Sequence, residues 1–260
     1  MDVITIMQSQ LGFFLLIFTR VTGILTTAPI LGSRNIPVYT KAGFALILSY
    51  ILTPIVVQRS HIIVPDQFGA YVFLVIGELL IGLILGYISS MIFYAVQMAG
   101  QLLDMQIGFG IVNIIDPQSG QQLPLIGNFK YIFSLLVFFA TNGHHILLSA
   151  LFTSFKTVPV GAAVFRPQLA DLVIDITFSV LIIALKISLP ILVAIFLTDI
   201  AMGILARIMP QMNIFIVGIP GKIIVGIFML ALTLPFYITL LEVGFSAMYK
   251  DIYRLLLTFS

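Results

Sequence analysis

The chain has 260 residues, of which 60% are hydrophobic and 8% are charged. Soluble proteins carry about 25% charged residues, so this chain has too few charges to cover a surface that faces water. The composition excludes a soluble enzyme, a nucleic-acid-binding module and a disordered chain. The net charge of +2 comes without a basic run that could follow phosphates, and the absence of cysteine excludes disulfides, thiol chemistry and cysteine-ligated metal.

Six apolar blocks follow one another along the chain, separated by turn residues. Their approximate bounds are Leu11 to Leu31, Ala42 to Val57, Phe68 to Met98, Tyr131 to Phe155, Leu172 to Leu205, and Ile214 to Phe245. Because a helix needs about 20 residues to cross a bilayer, we expect an all-α, integral-membrane-type fold of about six segments. The acidic Asp2 and the lack of a small-residue cleavage site lead us to expect that the first block is retained.

The blocks do not describe a plain bundle of six straight helices. The second block is short for a span, whereas the third, fifth and sixth are long enough for a span and a kinked extension. Prolines inside the blocks are expected to bend their helices, and they are Pro29, Pro54, Pro190, Pro220 and Pro235. Irregular backbone at membrane depth is tolerated where protein or a cavity surrounds it. The broken helices therefore predict close protein partners or a conduit.

Charged residues within the apolar blocks are the first functional feature. They are Arg20, Glu78, Lys186, Asp199 and Lys222. On insertion scales a charge at the centre of a spanning helix costs about 2.5–3.5 kcal/mol, so we expect these side chains to face protein or water.

Small residues recur beside several of these charges at four-residue spacing. The rows are Glu78, Gly82, Gly86 and Ser90, then Asp199, Gly203 and Arg207, and then Gly218, Lys222 and Gly226. This spacing places each row on one helix face, where glycine lets another backbone approach closely. This pattern allows three interpretations. They are helix packing with internally paired charges, a proton or ion relay, and contacts with other subunits.

The glycine-rich stretch from Gln97 to Pro124 is apolar, unlike an ordinary exposed loop. Its glycines let the backbone move, and its isoleucine, methionine and phenylalanine side chains can exclude water and ions from a pore. The composition fits a re-entrant packing loop and a gate equally well. We expect the stretch to lie within protein or at a pore.

The sequence contains no arrangement that points to catalysis. His144 and His145 are adjacent, so on a helix they point about 100° apart and cannot share one metal ion. The HExxH and GxSxG motifs are absent, and Gly108-Phe109-Gly110 lacks the third glycine of a dinucleotide site. We therefore expect a protein that is not an enzyme and that binds no metal or cofactor.

The order of the motifs resembles that of one known family. Gly77-Glu78 precedes the glycine row, and Asn142-Gly143-His144 follows the glycine-rich stretch. The most specific run contains, in order, Arg207, Pro210, Gln211, Met212, Asn213, Phe215, Gly218, Pro220 and Lys222. Over essentially its whole length the chain resembles the FliR family, the R component of the flagellar type III protein export gate. Injectisome homologues share much of this pattern, but the run from Gln211 to Phe215, followed by Val217 to Pro220, is more similar to the flagellar branch.

The resemblance implies kinked helical hairpins, with a P-like region at residues 1–185 fused to a Q-like region at 186–260. It further implies that the chain joins FliP and FliQ subunits in a helical export-gate assembly, with FlhB at the entrance. The expected location is the bacterial inner membrane at the flagellar basal body. Unfolded flagellar export substrates would pass through the channel. Membrane lipid is a further expected contact, and no nucleic acid is expected.

Residue roles also follow from the resemblance, which assigns a channel plug to the segment 106–116. The plug candidates are Gly108, Phe109, Gly110, Ile111 and Val112. The candidates for buried charge or subunit contact are Glu78, Lys186, Asp199, Arg207 and Lys222, and those for helix packing are Gly82, Gly86, Gly203, Gly218 and Gly226. The resemblance favours subunit contacts over a proton relay. A small secondary transporter that uses the intramembrane charges is the alternative, and an intramembrane enzyme is disfavoured.

Overall fold

The computed structural model describes residues 3–33, 35–57, 65, 67–110, 124–211 and 213–259. In these residues it contains eight helices and no strand. The helices are α1 (Val3–Thr27), α2 (Val38–Val57), α3 (Phe68–Ile107), α4 (Leu125–Ala140), α5 (Gly143–Thr157), α6 (Pro167–Ile208), α7 (Ile214–Leu232) and α8 (Leu234–Phe259). The predicted all-α fold is confirmed.

Four of these helices, α1, α2, α3 and α6, are long and apolar enough to cross a membrane. Two broken pairs, α4 with α5 and α7 with α8, raise the number of candidate spans in the described residues to six. The prediction that the second block is too short was wrong. Its helix begins at Val38 rather than Ala42 and has 20 residues, which reach about 30 Å at a rise of about 1.5 Å per residue.

The fourth and sixth predicted blocks are each divided between two helices. α4 ends at Ala140, and Asn142 before α5 adopts a left-handed conformation with φ 57° and ψ 27°. Asparagine tolerates this conformation better than most residues do. Thr233 separates α7 from α8. Pro235 lies in the first turn of α8, where its missing N–H costs no helical hydrogen bond.

The remaining prolines differ in their positions. Those that lie inside helices, as predicted, are Pro54, Pro190 and Pro220. Pro29 lies beyond the end of α1, in a turn where the Leu31 N–H donates to the Pro29 carbonyl oxygen at 2.8 Å. Ile30 at the centre of this γ-turn has φ 70°, a strained conformation for a β-branched residue. The predicted bend within a helix was therefore wrong for Pro29, whereas Pro235 lies directly after the break where α7 and α8 are bent by 56°.

The glycine-rich stretch begins as a helix, which corrects the prediction of a loop from Gln97 onward. α3 runs for 40 residues to Ile107, so its last part is helical despite Gly100. Packing explains this outcome, because Gly100 lies so close to Gly127 on α4 that a Cβ there would overlap the Gly127 backbone. Residues 111–123 lie outside the described residues.

Residue contacts divide the chain into two compact units. One is built from Met1–Met91, Asn142–Ile176 and Ser246–Ser260, and the other from Ile92–Thr141 and Thr177–Phe245. These units interleave along the sequence and do not follow a boundary at residue 185. The division into P-like and Q-like regions therefore stays a prediction.

Each unit has its own apolar core. In the first unit α1 packs against α2, and its side chains Leu16, Ile17 and Val21 are fully buried. The core of the second unit contains Leu103, Ile107, Ile126, Ile191 and Ile195. Aromatic rings extend this second core, and Phe93 packs edge-on against Phe138 with ring centroids 5.5 Å apart.

Large apolar side chains also remain on the outer faces of the long helices. Phe73 on α3 is 77% exposed, and Phe196 on α6 is 64% exposed. A soluble protein would carry mainly polar groups at such positions. These helix faces therefore need lipid or other protein chains to cover them.

Candidate functional site

A buried ion pair joins α1 to α3 in the first unit. Arg20 Nε donates to Glu78 Oε2 at 2.5 Å, and the two side chains are 0% and 1% exposed. The second carboxylate oxygen of Glu78 accepts a hydrogen bond from the Gly161 N–H at 2.8 Å. Both Glu78 oxygens are therefore occupied by donors from the protein, which offsets the cost of burying the charge.

Arg20 also holds the C-terminal end of α5. Its Nη1 donates to the carbonyl oxygens of Ser154 at 3.1 Å and Val158 at 2.9 Å. The guanidinium carbon lies 4.4 Å from the centre of the Phe155 ring. A positive charge is favoured at a helix C-terminus and over an aromatic face. This one side chain thus connects α1, α3 and α5.

The small residues that follow Glu78 face α1. A Cβ on Gly82 would overlap the Arg20 carbonyl oxygen, and a Cβ on Gly86 would overlap the Thr27 hydroxyl. Ser90 continues the row, because its hydroxyl donates to the Thr27 carbonyl oxygen at 2.5 Å. The row therefore lies in a close helix contact, with the buried ion pair at one end.

A second ion pair lies between α6 and α7 in the second unit. Lys222 Nζ contacts Asp199 Oδ1, and the two side chains are 25% and 39% exposed. Gly203, one turn beyond Asp199, is open, with no atom within 4 Å of a Cβ placed on it. Gly226, one turn beyond Lys222, is packed, because a Cβ there would lie 2.6 Å from Ile107 Cδ1.

The remaining charged candidates are on the surface of the chain. Lys186 and Arg207 both lie at exposed positions of α6, whereas Gly218 of α7 is buried. The structure therefore places Glu78 and the Asp199–Lys222 pair in separate units and leaves Lys186 and Arg207 exposed.

The first three plug candidates directly follow α3. The Gly108 N–H donates to the Asp104 carbonyl oxygen at 3.3 Å, and Gly108 has φ 106°, which glycine adopts readily. Phe109 packs against the core of the second unit. A Cβ on Gly110 would meet Met105 Cα at 3.8 Å, an ordinary contact. Ile111 and Val112 lie outside the described residues.

Asp104 is a site residue that the sequence reasoning missed. It is 5% exposed, and its two carboxylate oxygens accept hydrogen bonds from the Ile126 N–H at 3.0 Å and the Gly127 N–H at 3.1 Å. These N–H groups belong to the first turn of α4, which begins after Pro124 without a side-chain cap. One indirect signal in the sequence points to a distant cap for α4. The helix starts after Pro124, which has no side-chain oxygen that could accept the first N–H groups.

The histidines were the other candidates considered for a metal site. The rings of His144 and His145 lie side by side at the start of α5, with centroids 4.2 Å apart. Throughout the part of the chain that the structure describes, no three His, Asp or Glu side chains are grouped as a metal ion would require.

Comparison with known proteins gives the family. Residues 11–248 match the model of the family described as bacterial export proteins, family 1. The chain belongs to this family. It is similar to the flagellar biosynthetic protein FliR of Bacillus subtilis (strain 168), with 37% identity over 246 residues and 94% of each chain covered.

Two further relatives are similar to this chain over nearly its whole length. FliR of Escherichia coli (strain K12) is 29% identical over 243 residues, which cover 93% of this chain and 92% of the relative. FliR of Caulobacter vibrioides (strain ATCC 19089 / CIP 103742 / CB 15) is 28% identical over 242 residues, which cover 93% of each chain. The predicted resemblance to the FliR family is confirmed.

Proposed function

We propose that this chain is a structural channel subunit of the flagellar type III export gate. With FliP and FliQ subunits it forms the inner-membrane entrance pore for unfolded flagellar proteins, at the basal body and next to FlhB. The observation that carries this proposal is the 37% identity to FliR of Bacillus subtilis, which extends over 94% of both chains. Similarity on that scale covers nearly all of the helices rather than a single motif.

The exposed surface of α6 supports assembly with other subunits. Phe178 and Ile208 are 63% and 70% exposed and lie on the same 42-residue helix. At about 1.5 Å per residue they are about 45 Å apart along it, whereas the hydrocarbon core of a bilayer is about 30 Å thick. Lipid tails therefore cannot cover both ends of this apolar helix. Neighbouring subunits are the proposed cover.

The exposed charges of α6 and α7 are the proposed contacts with neighbouring FliQ hairpins. Lys186 and Arg207 lie on an apolar helix at exposed positions, and the Asp199–Lys222 pair remains partly exposed. Charges on such a surface are costly unless another chain or water pairs with them. A neighbouring hairpin with complementary polar groups would provide this pairing.

The plug is the proposed closure of the channel, and it comprises Gly108 to Val112. The positive φ of Gly108 turns the backbone out of α3 at the first residue of this segment. The segment has three apolar side chains, Phe109, Ile111 and Val112, and no charge. A constriction of this composition excludes ions by excluding water.

The observed pairing of the carboxylates argues against the transporter alternative. Such a protein needs an intramembrane carboxylate that is open to its cargo. Both oxygens of Glu78 are already occupied by Arg20 and the Gly161 N–H, and Asp199 contacts Lys222. An ion could bind Glu78 only by displacing a buried arginine.

Deletion of the gene tests the proposed function. We expect the deletion strain to stop secreting hook and filament proteins and to lose motility, and we expect the full chain to restore both. Secretion of other envelope proteins through the general pathway serves as the control. Normal flagellar secretion in the deletion strain would contradict the proposal.

A separate experiment tests the plug. We expect deletion of Gly108 to Val112 to make the closed gate leak small ions, measured as the conductance of membranes that contain the assembled complex. Phe109→Leu keeps an apolar side chain and is expected to leave the gate closed. Wild-type conductance in the deletion variant, with normal assembly, would rule out this segment as the plug.

A further inference from the structure

We infer that Asp104 is a positioning residue that fixes the start of the plug segment by capping α4 from α3. This inference rests on the proposed plug for its effect on ion leakage, but the positioning itself can be measured without it. Asp104 connects to both sides of the glycine-rich stretch. Its backbone accepts the Gly108 N–H, and its side chain accepts two N–H groups of α4.

α4 begins without a side-chain cap from its own neighbouring residues. The first N–H groups of a helix have no partner within the helix, and a side-chain oxygen usually satisfies them. Pro124 precedes α4 and offers no such oxygen. The Asp104 carboxylate takes this role with bonds of 3.0 and 3.1 Å to Ile126 and Gly127. The helix dipole favours a negative charge at this position.

The Asp104 carboxylate is buried where α3 meets the start of α4. Asp104 is 5% exposed, and Leu103 beside it is fully buried. Gly100, one turn earlier, lies against Gly127 so closely that neither helix can shift toward the other. Water has little access to this contact, so it cannot replace the carboxylate as the acceptor. Loss of the side chain would leave two buried N–H groups unsatisfied, which is a costly state.

The last turn of α3 links the Asp104 cap to the start of the plug. Gly108 leaves α3 with a positive φ, and its N–H bonds to the carbonyl oxygen of Asp104. The direction in which Gly108 to Gly110 leave the helix depends on a fixed last turn of α3. That turn is fixed to α4 through the Asp104 side chain. Weakening the cap should therefore loosen Gly110 without removing any residue of the plug.

A spin label at position 110 measures this effect directly. The chain has no cysteine, so Gly110→Cys gives a single labelling site once any cysteines of the other gate subunits are replaced by serine, and a side chain there has room next to Met105. Label mobility is recorded by electron paramagnetic resonance in three assembled gates. One carries the labelled chain alone, and the other two carry Asp104→Asn or Asp104→Ala in addition. Thr141→Val is the matched control. It removes a hydroxyl that donates to the Val137 carbonyl oxygen at the opposite end of α4.

We expect label mobility to increase from wild type to Asp104→Asn to Asp104→Ala, because asparagine keeps one acceptor oxygen and alanine keeps none. Thr141→Val should match the wild type. In the same gates, but without the label, ion leakage per complex should rise several-fold for Asp104→Ala. An immobile label in Asp104→Asn and Asp104→Ala would overturn the inference. Failure of Asp104→Asn to assemble, when Thr141→Val assembles, would also overturn it, because the role would then not be local.

The outcomes also separate this inference from the proposed plug. A mobile label without leakage, when deletion of Gly108 to Val112 also causes no leakage, supports the positioning role and refutes the plug. Leakage in the deletion variant alone, with an immobile label in the Asp104 variants, supports the plug and refutes the positioning role.

Discussion

Removal of one partner of the Arg20–Glu78 pair should destabilise the protein more than removal of both. Glu78→Leu would leave the arginine buried at 0% exposure with no counter-charge and the Gly161 N–H with no acceptor. Breaking a buried ion pair in this way costs about 3–5 kcal/mol. Arg20→Met leaves the opposite charge unpaired, and it should cost a similar amount.

The double variant Arg20→Met with Glu78→Leu removes both charges and fills their space with apolar atoms. The Ser154 carbonyl oxygen keeps the Val158 N–H as a donor at 2.9 Å, so it remains satisfied without Arg20. The polar groups that lose their partner are the Val158 carbonyl oxygen and the Gly161 N–H, whereas the Ser154 hydroxyl loses a long 3.5 Å contact with Arg20 and keeps its bond to the Leu151 carbonyl oxygen. The double variant should therefore cost less than either single variant, so its stability should exceed the sum of the single effects by at least about 3–5 kcal/mol, the cost of one single variant.

The assay is the loss of intact, detergent-solubilised gate on heating, followed by size-exclusion chromatography. Ser49→Ala is the matched control, because Ser49 is buried in the same unit and bonds to Ala45 within its own helix. The control should lose about as much intact gate as the wild type does. Each single variant should lose much more, and the double variant should lose an amount between those of the wild type and the single variants. A double variant as unstable as the sum of the two single variants would refute the reasoning.

Gly86→Ala should destabilise the gate by about 1–3 kcal/mol and so lower its heating midpoint, because the added Cβ meets the α1 backbone. Gly43→Ala in α2 has open space and should be neutral or stabilising by up to about 1 kcal/mol, so equal losses would contradict the packing role. Asp199→Lys should reduce recovery of FliQ with the chain, and adding Lys222→Asp should restore it. No recovery in the double variant would show that the intramolecular Asp199–Lys222 pair does not maintain the contact with FliQ.

The sequence predicted the class of fold and the need for burial, but not the helix ends. Apolar composition placed the second block at Ala42, and the helix extends back to Val38 because Tyr39, Thr40 and Lys41 can lie in a helix as well. Glycine content likewise predicted a loop at Gly100, where close packing maintains the helix. Composition measures preference residue by residue, whereas helix ends here depend on tertiary contacts.

The partners of the charged residues could not be predicted from the sequence either. Their presence in apolar blocks predicted that they face protein or water, but spacing alone could not show that Arg20 meets Glu78 and α5. Asp104 was missed because its partners lie more than twenty positions away, across the glycine-rich stretch. Long-range pairing of this kind is fixed by the fold and leaves only an indirect signal, the uncapped start of α4.

The most direct test of the central claim is co-purification of the tagged chain with the FliP and FliQ proteins of the same bacterium, with composition and mass read by native mass spectrometry. We expect a stable complex that contains all three proteins, because lipid tails cannot cover both exposed apolar ends of the long helix α6. A chain that purifies alone from membranes in which FliP and FliQ are present would contradict the claim that it is an export-gate subunit.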